Sequence, residues 1–281
     1  MSRMIDYNQI EISPGFYAKK CLWTLLRGFF LLSMSFVILY PLLYMASMAF
    51  RSAEDFYDVT VVWLPKNWTL ENLKFAILDA ELLNAMGHTF IIAVVSSLLQ
   101  VMITSLAGYG FARFRFKGNK ILFALAIFTI IIPPQMMNIP NHLLMKNFDL
   151  FGVVRLLTGA PSPIHLLDSP LAFFLPAVLG QGLRAGVFIL VFRQFYSGLS
   201  AELEEAALID GCGYRKTFFR VMLPNATTPM MVSFLFSVVW YWNDYYMSFT
   251  YLSSYRTLAV QLMDLRERLA TLLPYEKQTA Y

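Results

Sequence analysis

The sequence EEAALIDGCGYRKTFFRVMLP, which runs from Glu204 to Pro224, is a polar interruption between two strongly apolar parts of the chain. Ser200 comes just before it, and a serine hydroxyl can accept a free backbone N–H at the start of a helix. Gly211 predicts a tight turn after that helix, because glycine adopts backbone conformations that other residues avoid. A second short helix is predicted over residues 214–222, and Pro224 would end it because proline has no N–H to donate. The stretch therefore predicts two short helices around a turn, placed outside the membrane.

The composition predicts an integral membrane protein. Of the 281 residues, 58% are hydrophobic and only 14% are charged, and the mean hydropathy is +0.55. Soluble domains carry about 25% charged residues. The net charge of +4 comes from short basic clusters beside apolar segments, which fits membrane topology and gives no support for nucleic-acid binding. Neither a disulfide framework nor a metal site follows from the two cysteines, Cys21 and Cys212.

Five apolar segments are long enough to cross the roughly 30 Å hydrocarbon core of a bilayer. They lie at 28–50, 89–112, 121–140, 170–192 and within 225–255. Pro133 and Pro134 predict a kink or a break in the third segment. Basic residues cluster after the second and fourth segments, which places those loops and the N-terminus in the cytosol. The prediction is an all-α, polytopic helical membrane protein.

Three regions follow from this pattern. Residues 1–27 are a cytosolic tail, residues 28–255 are a transmembrane domain that carries the cytosolic loop 200–224, and residues 256–281 are an extracytoplasmic tail. Leucines recur in this tail at alternating gaps of four and three residues from Leu258 to Leu272. That spacing predicts an amphipathic helix, which is too short to span a bilayer.

The spacing of Glu205-Ala206-Ala207, Gly211 and Leu223-Pro224 resembles the EAA loop of permease subunits of ABC importers. Further motifs between about Leu39 and Leu262 are similar to the second permease of maltose-type carbohydrate importers. They are Trp63-Leu64-Pro65, Thr69-Leu70-Glu71-Asn72, Ala107 to Gly118, Pro133-Pro134, Phe192-Arg193-Gln194-Phe195 and Trp242-Asn243-Asp244. The resemblance implies an ABC type I importer permease fold, and uptake of a sugar or oligosaccharide across the cell membrane of a prokaryote. Because that fold has six spans, we also expect a sixth span to be missing at the C-terminus.

The resemblance implies partners as well: a second, related permease subunit, ABC ATPase subunits and an extracytoplasmic solute-binding protein, around a chain embedded in membrane lipid. Glu205 would contact the ATPase, and Ala206 and Ala207 would allow its close approach. Asp210 would be a hydrogen-bonding brace for the turn. The full predicted coupling set is Glu205, Ala206, Ala207, Asp210, Gly211, Gly213, Leu223 and Pro224. The sequence lacks the phosphate loop G-x-x-x-x-G-K-[ST], so ATP would be bound by the partner ATPase and this chain would need no cofactor.

Four residues of the predicted spans are candidates for the translocation path. Arg184 lies inside a proposed span, where an arginine is costly unless it lines a path or meets a polar partner. It could instead snorkel, or lie in a broken, re-entrant segment, because glycines surround it. Trp240, Asn243 and Asp244 offer an aromatic face and hydrogen-bonding groups to a sugar ring. The alternative for these three is an interfacial aromatic belt with a helix-packing polar pair.

Enzyme chemistry has little support in the sequence. It contains no nucleophile elbow and no H-E-x-x-H motif, and its three histidines lack metal-ligand spacing. Three alternatives to a sugar importer stay open: an ABC importer permease for another solute, an autonomous secondary transporter or channel, and a structural membrane scaffold. A secondary transporter would use Arg184 and Asp244 as ion-linked charges, but no inverted repeat of spans is evident.

Overall fold

The chain is folded almost entirely into α-helices. The computed structural model describes residues 14–79, 81–149, 156, 159 and 164–272, and the extended structure in these residues is limited to two isolated bridges. The predicted all-α class is confirmed. The chain forms two compact units, the first of which ends at Asp79. The predicted boundaries at residues 27 and 255 stay a prediction.

The first unit begins with the long helix α1 (Pro14–Ala49), in which the part Lys19–Ala49 is apolar enough to cross a membrane. Two short helices follow, α2 (Ala53–Tyr57) and α3 (Glu71–Lys74), and α3 continues as a π-helix over Phe75–Asp79. The segment between them is held by the buried carboxylate of Asp55, which accepts the backbone N–H groups of Lys66 and Asn67 at 2.8 and 3.0 Å.

The second unit packs around the long helix α4 (Leu82–Arg113). The other helices are α5 (Asn119–Ile131), α6 (Pro134–Lys146), α7 (Leu171–Val178), α8 (Ala185–Gly198), α9 (Ala201–Ile209), α10 (Tyr214–Thr217), α11 (Leu223–Asn225), α12 (Thr227–Trp242), α13 (Tyr246–Tyr251) and α14 (Leu258–Leu272). A π-helix over Phe218–Met222 joins α10 to α11. Helices α7, α8, α12 and α14 all contact α4. The bounds of α14 are those that the leucine spacing predicts, so the predicted helix is confirmed, and its amphipathic character stays a prediction.

Two sharp bends interrupt the helices of this unit. The axes of α5 and α6 meet at 107°, and the break falls at Pro133, as predicted. The segment Tyr214–Asn225 meets α12 at 77°. The helix predicted to end at Pro224 ends one residue later, at Asn225, which is within the usual uncertainty of a helix boundary. Pro224 therefore lies in the last turn of the helical segment Tyr214–Asn225.

The predicted fourth span, 170–192, is not one helix. It consists of α7 and the first half of α8, separated by the non-helical residues 179–184. Gly180 and Arg184 both have left-handed backbone there, with φ of 74° and 53°. The continuous span was therefore a wrong prediction, and the alternative of a broken segment is confirmed. In the described residues, length and composition give two membrane-spanning helices, or up to four if each bent pair counts as one, against the five predicted.

The packed face of α4 carries several polar side chains among apolar ones. Its fully buried side chains include Ser96, Ser97, Gln100, Thr104 and Ser105. Small hydroxyl side chains let helices in a membrane approach closely, and their hydroxyls can bond within the helix or across it. Thr104 Oγ1 donates to the carbonyl oxygen of Gln100 at 2.7 Å, and Ser105 Oγ lies 2.8 Å from the Tyr196 hydroxyl on α8.

Asp168 fixes the loop that leads into α14. Its carboxylate accepts the backbone N–H groups of Ser253, Ser254 and Tyr255 at 2.8, 2.7 and 3.1 Å, together with the Ser254 hydroxyl. These donors favour the charged carboxylate and lower the pKa of Asp168 to about 2, with the Ser254 hydroxyl as the largest cause.

Candidate functional site

The EAA segment, Ser200 to Pro224, begins with a capped helix and a backbone-closed turn. Ser200 Oγ accepts the Glu202 N–H at 3.2 Å and so caps α9, as predicted. At the other end, Gly211 adopts a left-handed φ of 78°. The N–H groups of Gly211 and Cys212 then donate to the carbonyls of Leu208 and Ala207 at 3.1 and 3.0 Å, which is the Schellman arrangement.

The side chain of Asp210, predicted to brace the turn by hydrogen bonding, does not take part in closing it. The backbone N–H of Asp210 donates to the Ala206 carbonyl at 2.9 Å, but its carboxylate makes no hydrogen bond within the described part of the chain. Backbone groups and the conformation of Gly211 therefore close the turn, and the predicted bracing side chain was wrong. Gly213 has an ordinary φ of −73°, so it needs no special backbone freedom.

The remaining residues of the predicted coupling set differ in exposure. Glu205, Ala206 and Pro224 are exposed, Leu223 is half-buried and Ala207 is buried at 7%. Ile209 lies three residues after Ala206 on the same side of α9, and it is 85% exposed. Ala206 is thus accessible to another chain, whereas Ala207 packs within this one. The contact of Glu205 and Ala206 with an ATPase stays a prediction.

The neighbouring residue Glu204 lies on the inner side of α9, and sequence analysis predicted no side-chain contact for it. Its Oε1 accepts the hydroxyl of Tyr109 at 2.7 Å, and its Oε2 lies 3.5 Å from Arg113 Nε. Tyr109 and Arg113 belong to the last turns of α4. Arg113 Nη2 also donates to the carbonyl of Leu199 at 2.7 Å, at the corner between α8 and α9. The available signal was the Ala107 to Gly118 motif, which holds both partners.

A cavity of about 280 Å³ brings together the four candidates for the translocation path. It is lined by Arg184, Trp240, Asn243 and Asp244, and further by Pro134, Gln135, Asn138, Leu183, Val239, Tyr245, Tyr246 and Met247. The Arg184 guanidinium carbon lies 4.8 Å from the centre of the Trp240 ring, which is a cation–π contact.

The polar and charged groups of this cavity differ in the hydrogen bonds and ion pairs that they form. Asp244 Oδ2 accepts the backbone N–H of Ser248 at 2.9 Å and its hydroxyl at 3.1 Å. Asn243 Nδ2 donates to the carbonyl of Val239 at 2.8 Å, so its amide nitrogen is used within α12. Arg184 forms no ion pair with any residue that the structure describes. The cavity therefore presents an aromatic face, the Arg184 guanidinium and the Asp244 carboxylate.

A buried hydrogen-bond triangle holds the break that carries Arg184. The Tyr241 hydroxyl donates to Gln100 Oε1 at 2.7 Å, Gln100 Nε2 donates to the Leu183 carbonyl at 2.6 Å, and the Leu183 N–H donates to the Tyr241 hydroxyl at 3.2 Å. Irregular backbone away from water needs such partners, because its polar groups would otherwise be unsatisfied. Sequence analysis predicted no contact between Gln100 and Tyr241, because the two residues are 141 positions apart in the chain.

The comparisons with known proteins identify the family. The family described as "Binding-protein-dependent transport system inner membrane component" matches residues 100–274, more than half of the chain. The chain belongs to this family. It is therefore a permease component of a binding-protein-dependent transport system in the membrane. Both the EAA segment and the four cavity residues lie inside the matched range.

Individual relatives of this permease agree with the family match. The chain is 34% identical over 220 residues to the maltodextrin transport system permease protein MdxG of Bacillus subtilis, which covers 77% of this chain and 70% of MdxG. It is 28% identical to the arabinooligosaccharides transport system permease protein AraQ of Halalkalibacterium halodurans, over 79% of this chain and 73% of AraQ.

A solved structure supports the fold of the permease. The crystal structure of a bacterial ABC transporter involved in the import of the acidic polysaccharide alginate aligns with a TM-score of 0.66. The alignment covers 94% of this chain and 85% of that chain at 23% identity. At this identity the likeness concerns the fold, and it confirms the predicted ABC importer permease fold.

Proposed function

We propose that this permease carries a sugar or oligosaccharide into a prokaryotic cell, and that a separate ABC ATPase docked on the EAA segment supplies the energy. A second, related permease would complete the membrane channel, and an extracytoplasmic binding protein would deliver the solute. The N-terminus and the EAA segment would both lie in the cytosol. Membership of a binding-protein-dependent family is the observation that carries the proposal.

The exposed side of α9 supports the docking part. Glu205, Ala206 and Ile209 all face away from the body of this chain. Ile209 is a large apolar side chain at 85% exposure, on a segment whose other side is firmly packed. A partner protein that covered it would remove apolar surface from water, and this favours docking.

The cavity and the relatives support the solute part. Relatives are named for maltodextrin, for arabinooligosaccharides and for starch degradation products. In the cavity, the Trp240 ring offers an aromatic face and Arg184 offers hydrogen-bond donors. Such groups suit sugar rings and their hydroxyls. We therefore assign Arg184, Trp240, Asn243 and Asp244 to the translocation path.

Co-purification from native membranes tests the docking. The wild-type permease and the Glu205→Arg variant would be isolated in mild detergent, and the associated chains identified by mass spectrometry. We expect wild type to retain an ATPase and a second permease, and the variant to lose the ATPase through charge reversal at the contact. Glu54→Arg is the control, because it reverses the charge of an exposed glutamate of α2, outside the EAA segment. Isolation of wild type without an ATPase would contradict the proposal.

Uptake measurements test the solute. Cells that express the complete transporter would be given labelled malto-oligosaccharides, arabino-oligosaccharides and short peptides. We expect uptake of at least one saccharide, dependent on ATP and on the binding protein. Uptake of peptides alone would contradict the assignment to carbohydrates.

A further inference from the structure

The last two turns of α4 carry a motif that the proposed transport path does not use. Tyr109 and Arg113 are four residues apart and so lie on the same side of the helix. The adjacent Gly108 allows α4 to approach α8 closely, because a Cβ at Gly108 would lie only 2.5 Å from Phe192 Cβ. The end of α4 is therefore pressed against α8, with Tyr109 and Arg113 directed at the next helix, α9.

Both of these side chains converge on Glu204. The Tyr109 hydroxyl donates to one carboxylate oxygen at 2.7 Å, and Arg113 Nε lies 3.5 Å from the other. The side chains of Arg113 and Glu204 are only 13% and 12% exposed. Shielded from water, a charge-assisted hydrogen bond and an ion pair are stronger than on an open surface.

Aromatic rings of the core pack against Tyr109 and hold it beside Glu204. Tyr109 is 1% exposed, and its ring packs against the rings of Tyr196 on α8 and Phe218 in the π-helix, at centroid distances of 5.5 and 5.2 Å. Arg113 in turn donates to the carbonyl of Leu199 at 2.7 Å. The start of the EAA segment is thus tied to α4 through side chain and backbone together.

Adjacent glutamates of α9 lie in different surroundings, because successive residues of a helix point about 100° apart. Glu204 points inward to α4, and Glu205 points outward and is exposed. A movement imposed on the outer side of α9 would therefore reach α4 through Glu204. Nine residues before Tyr109, α4 carries Gln100, which holds the break beside Arg184. That separation is about 13 Å along a helix.

We propose that Glu204, Tyr109 and Arg113 are positioning residues that transmit movement of the EAA segment to α4, and so to the cavity. This inference rests on the proposed function, because it requires an ATPase docked on α9. These three residues, the coupling triad, would act in coupling. Docking of the ATPase would depend on other residues, on the outer side of α9.

The test uses the transporter purified from native membranes with its partners and reconstituted in liposomes. The variants are Glu204→Ala, which removes both contacts, and Tyr109→Phe, which removes only the hydroxyl and keeps the buried ring. Glu54→Ala is the control, because it makes the same change at an exposed glutamate of α2, outside the EAA segment. Three quantities are measured: the chains that co-purify, the stimulation of ATP hydrolysis by the loaded binding protein, and the ATP consumed per solute moved.

We expect both variants to retain the ATPase and to lose coupling. The ATP consumed per solute should rise about ten-fold or more in Glu204→Ala, which corresponds to the loss of one hydrogen bond to a charged group. Tyr109→Phe should shift the ratio in the same direction, and Glu54→Ala should match wild type.

Two results would overturn the inference. One is an unchanged ratio in Glu204→Ala and Tyr109→Phe. The other is loss of the ATPase from both variants, since the triad would then act in docking. Failure of the proposed function is distinguishable from either, because wild type itself would then come without an ATPase.

Discussion

Gly182 has no room for a side chain. A Cβ built there would lie 2.3 Å from Gln100 Oε1 and 2.7 Å from the Tyr241 hydroxyl, two members of the buried hydrogen-bond triangle. The residue is therefore fixed by the close approach of the break to α4 and α12. Nothing in the local sequence indicates this, since Gly182 is one of several glycines in the same stretch.

Gly182→Ala should destabilise the protein by about 1–3 kcal/mol, the usual cost of overpacking. The methyl group would push Gln100 and Tyr241 apart and leave buried polar groups unsatisfied. Thermal unfolding in detergent, followed by tryptophan fluorescence, measures the effect. Gly198→Ala is the control, because no atom lies within 4 Å of its Cβ position. Equal melting temperatures for Gly182→Ala and wild type would contradict the steric argument.

Asp168 makes stability depend on pH in the acid range. Its pKa is lowered to about 2 in the folded protein by the hydroxyl of Ser254 and the neighbouring N–H groups, against about 3.9 in an unfolded chain. A depressed pKa stabilises the fold above the unfolded value, and the contribution is lost as the pH falls from about 4 to 2.

We therefore expect the melting temperature of wild type to fall more steeply than that of Asp168→Asn between about pH 5 and about pH 2.5, an interval that covers most of the range between the two pKa values. The comparison isolates Asp168 from the other carboxylates that titrate in the same interval. Parallel curves for the two proteins would show that this carboxylate contributes nothing to the pH dependence.

At the scale of elements, the turn after α9 depends on one of its two glycines. Gly211 has φ of 78° and Gly213 has φ of −73°, and neither has an atom within 4 Å of its Cβ position. Any cost of an alanine is therefore a backbone cost. Only at Gly211 does that cost arise, because left-handed backbone is unfavourable for alanine by about 1–2 kcal/mol.

Gly211→Ala should distort the turn and reduce the amount of ATPase that co-purifies, and Gly213→Ala should behave as wild type. Gly211→Asn should fall between them, because asparagine tolerates left-handed backbone better than alanine. Co-purification followed by quantitative mass spectrometry ranks the three variants. A stronger defect in Gly213→Ala than in Gly211→Ala would contradict the assignment of the turn.

Bends and breaks also have different origins at this scale. Pro133 and Pro134 break the helix between α5 and α6 by removing N–H groups, so the sequence alone predicts the position. The break between α7 and α8 contains no proline and depends on Gly180, Arg184 and their contacts with other helices. Sequence analysis could offer that break only as an alternative.

At the scale of the molecule, the cavity collects residues from distant parts of the second unit. Arg184 comes from the break before α8, and Trp240, Asn243 and Asp244 come from the end of α12 and the segment after it. The cation–π contact between Arg184 and Trp240 joins the two parts. If this cavity belongs to the translocation path, removal of the Trp240 ring should impair transport. Assembly with the ATPase should be unaffected.

Trp240→Ala should lower saccharide uptake by roughly ten-fold, the scale of an aromatic contact of about 1–2 kcal/mol. The ATPase should co-purify in wild-type amount, because Trp240 lies outside the EAA segment. Uptake in reconstituted liposomes measures the loss. Phe236→Ala is the control, since Phe236 contacts Trp240 but does not line the cavity. Equal uptake by Trp240→Ala and the control would remove the cavity from the path.

The sequence by itself determined the features that depend on local chemistry. Hydropathy determined the membrane class, Ser200 and Gly211 determined the ends of α9, the leucine spacing determined α14, and the proline pair determined the break before α6. The order of the motifs determined the family. Each of these properties is set by residues that are neighbours along the chain.

Only the tertiary structure decided which side chains meet. It placed Glu204 against Tyr109 and Arg113, separated by about ninety residues, and Gln100 against Tyr241, separated by 141. It also turned Ala207 inward and Glu205 outward on one short helix. The physical reason is that burial and pairing depend on how helices pack together, and the composition of a single helix does not contain that information.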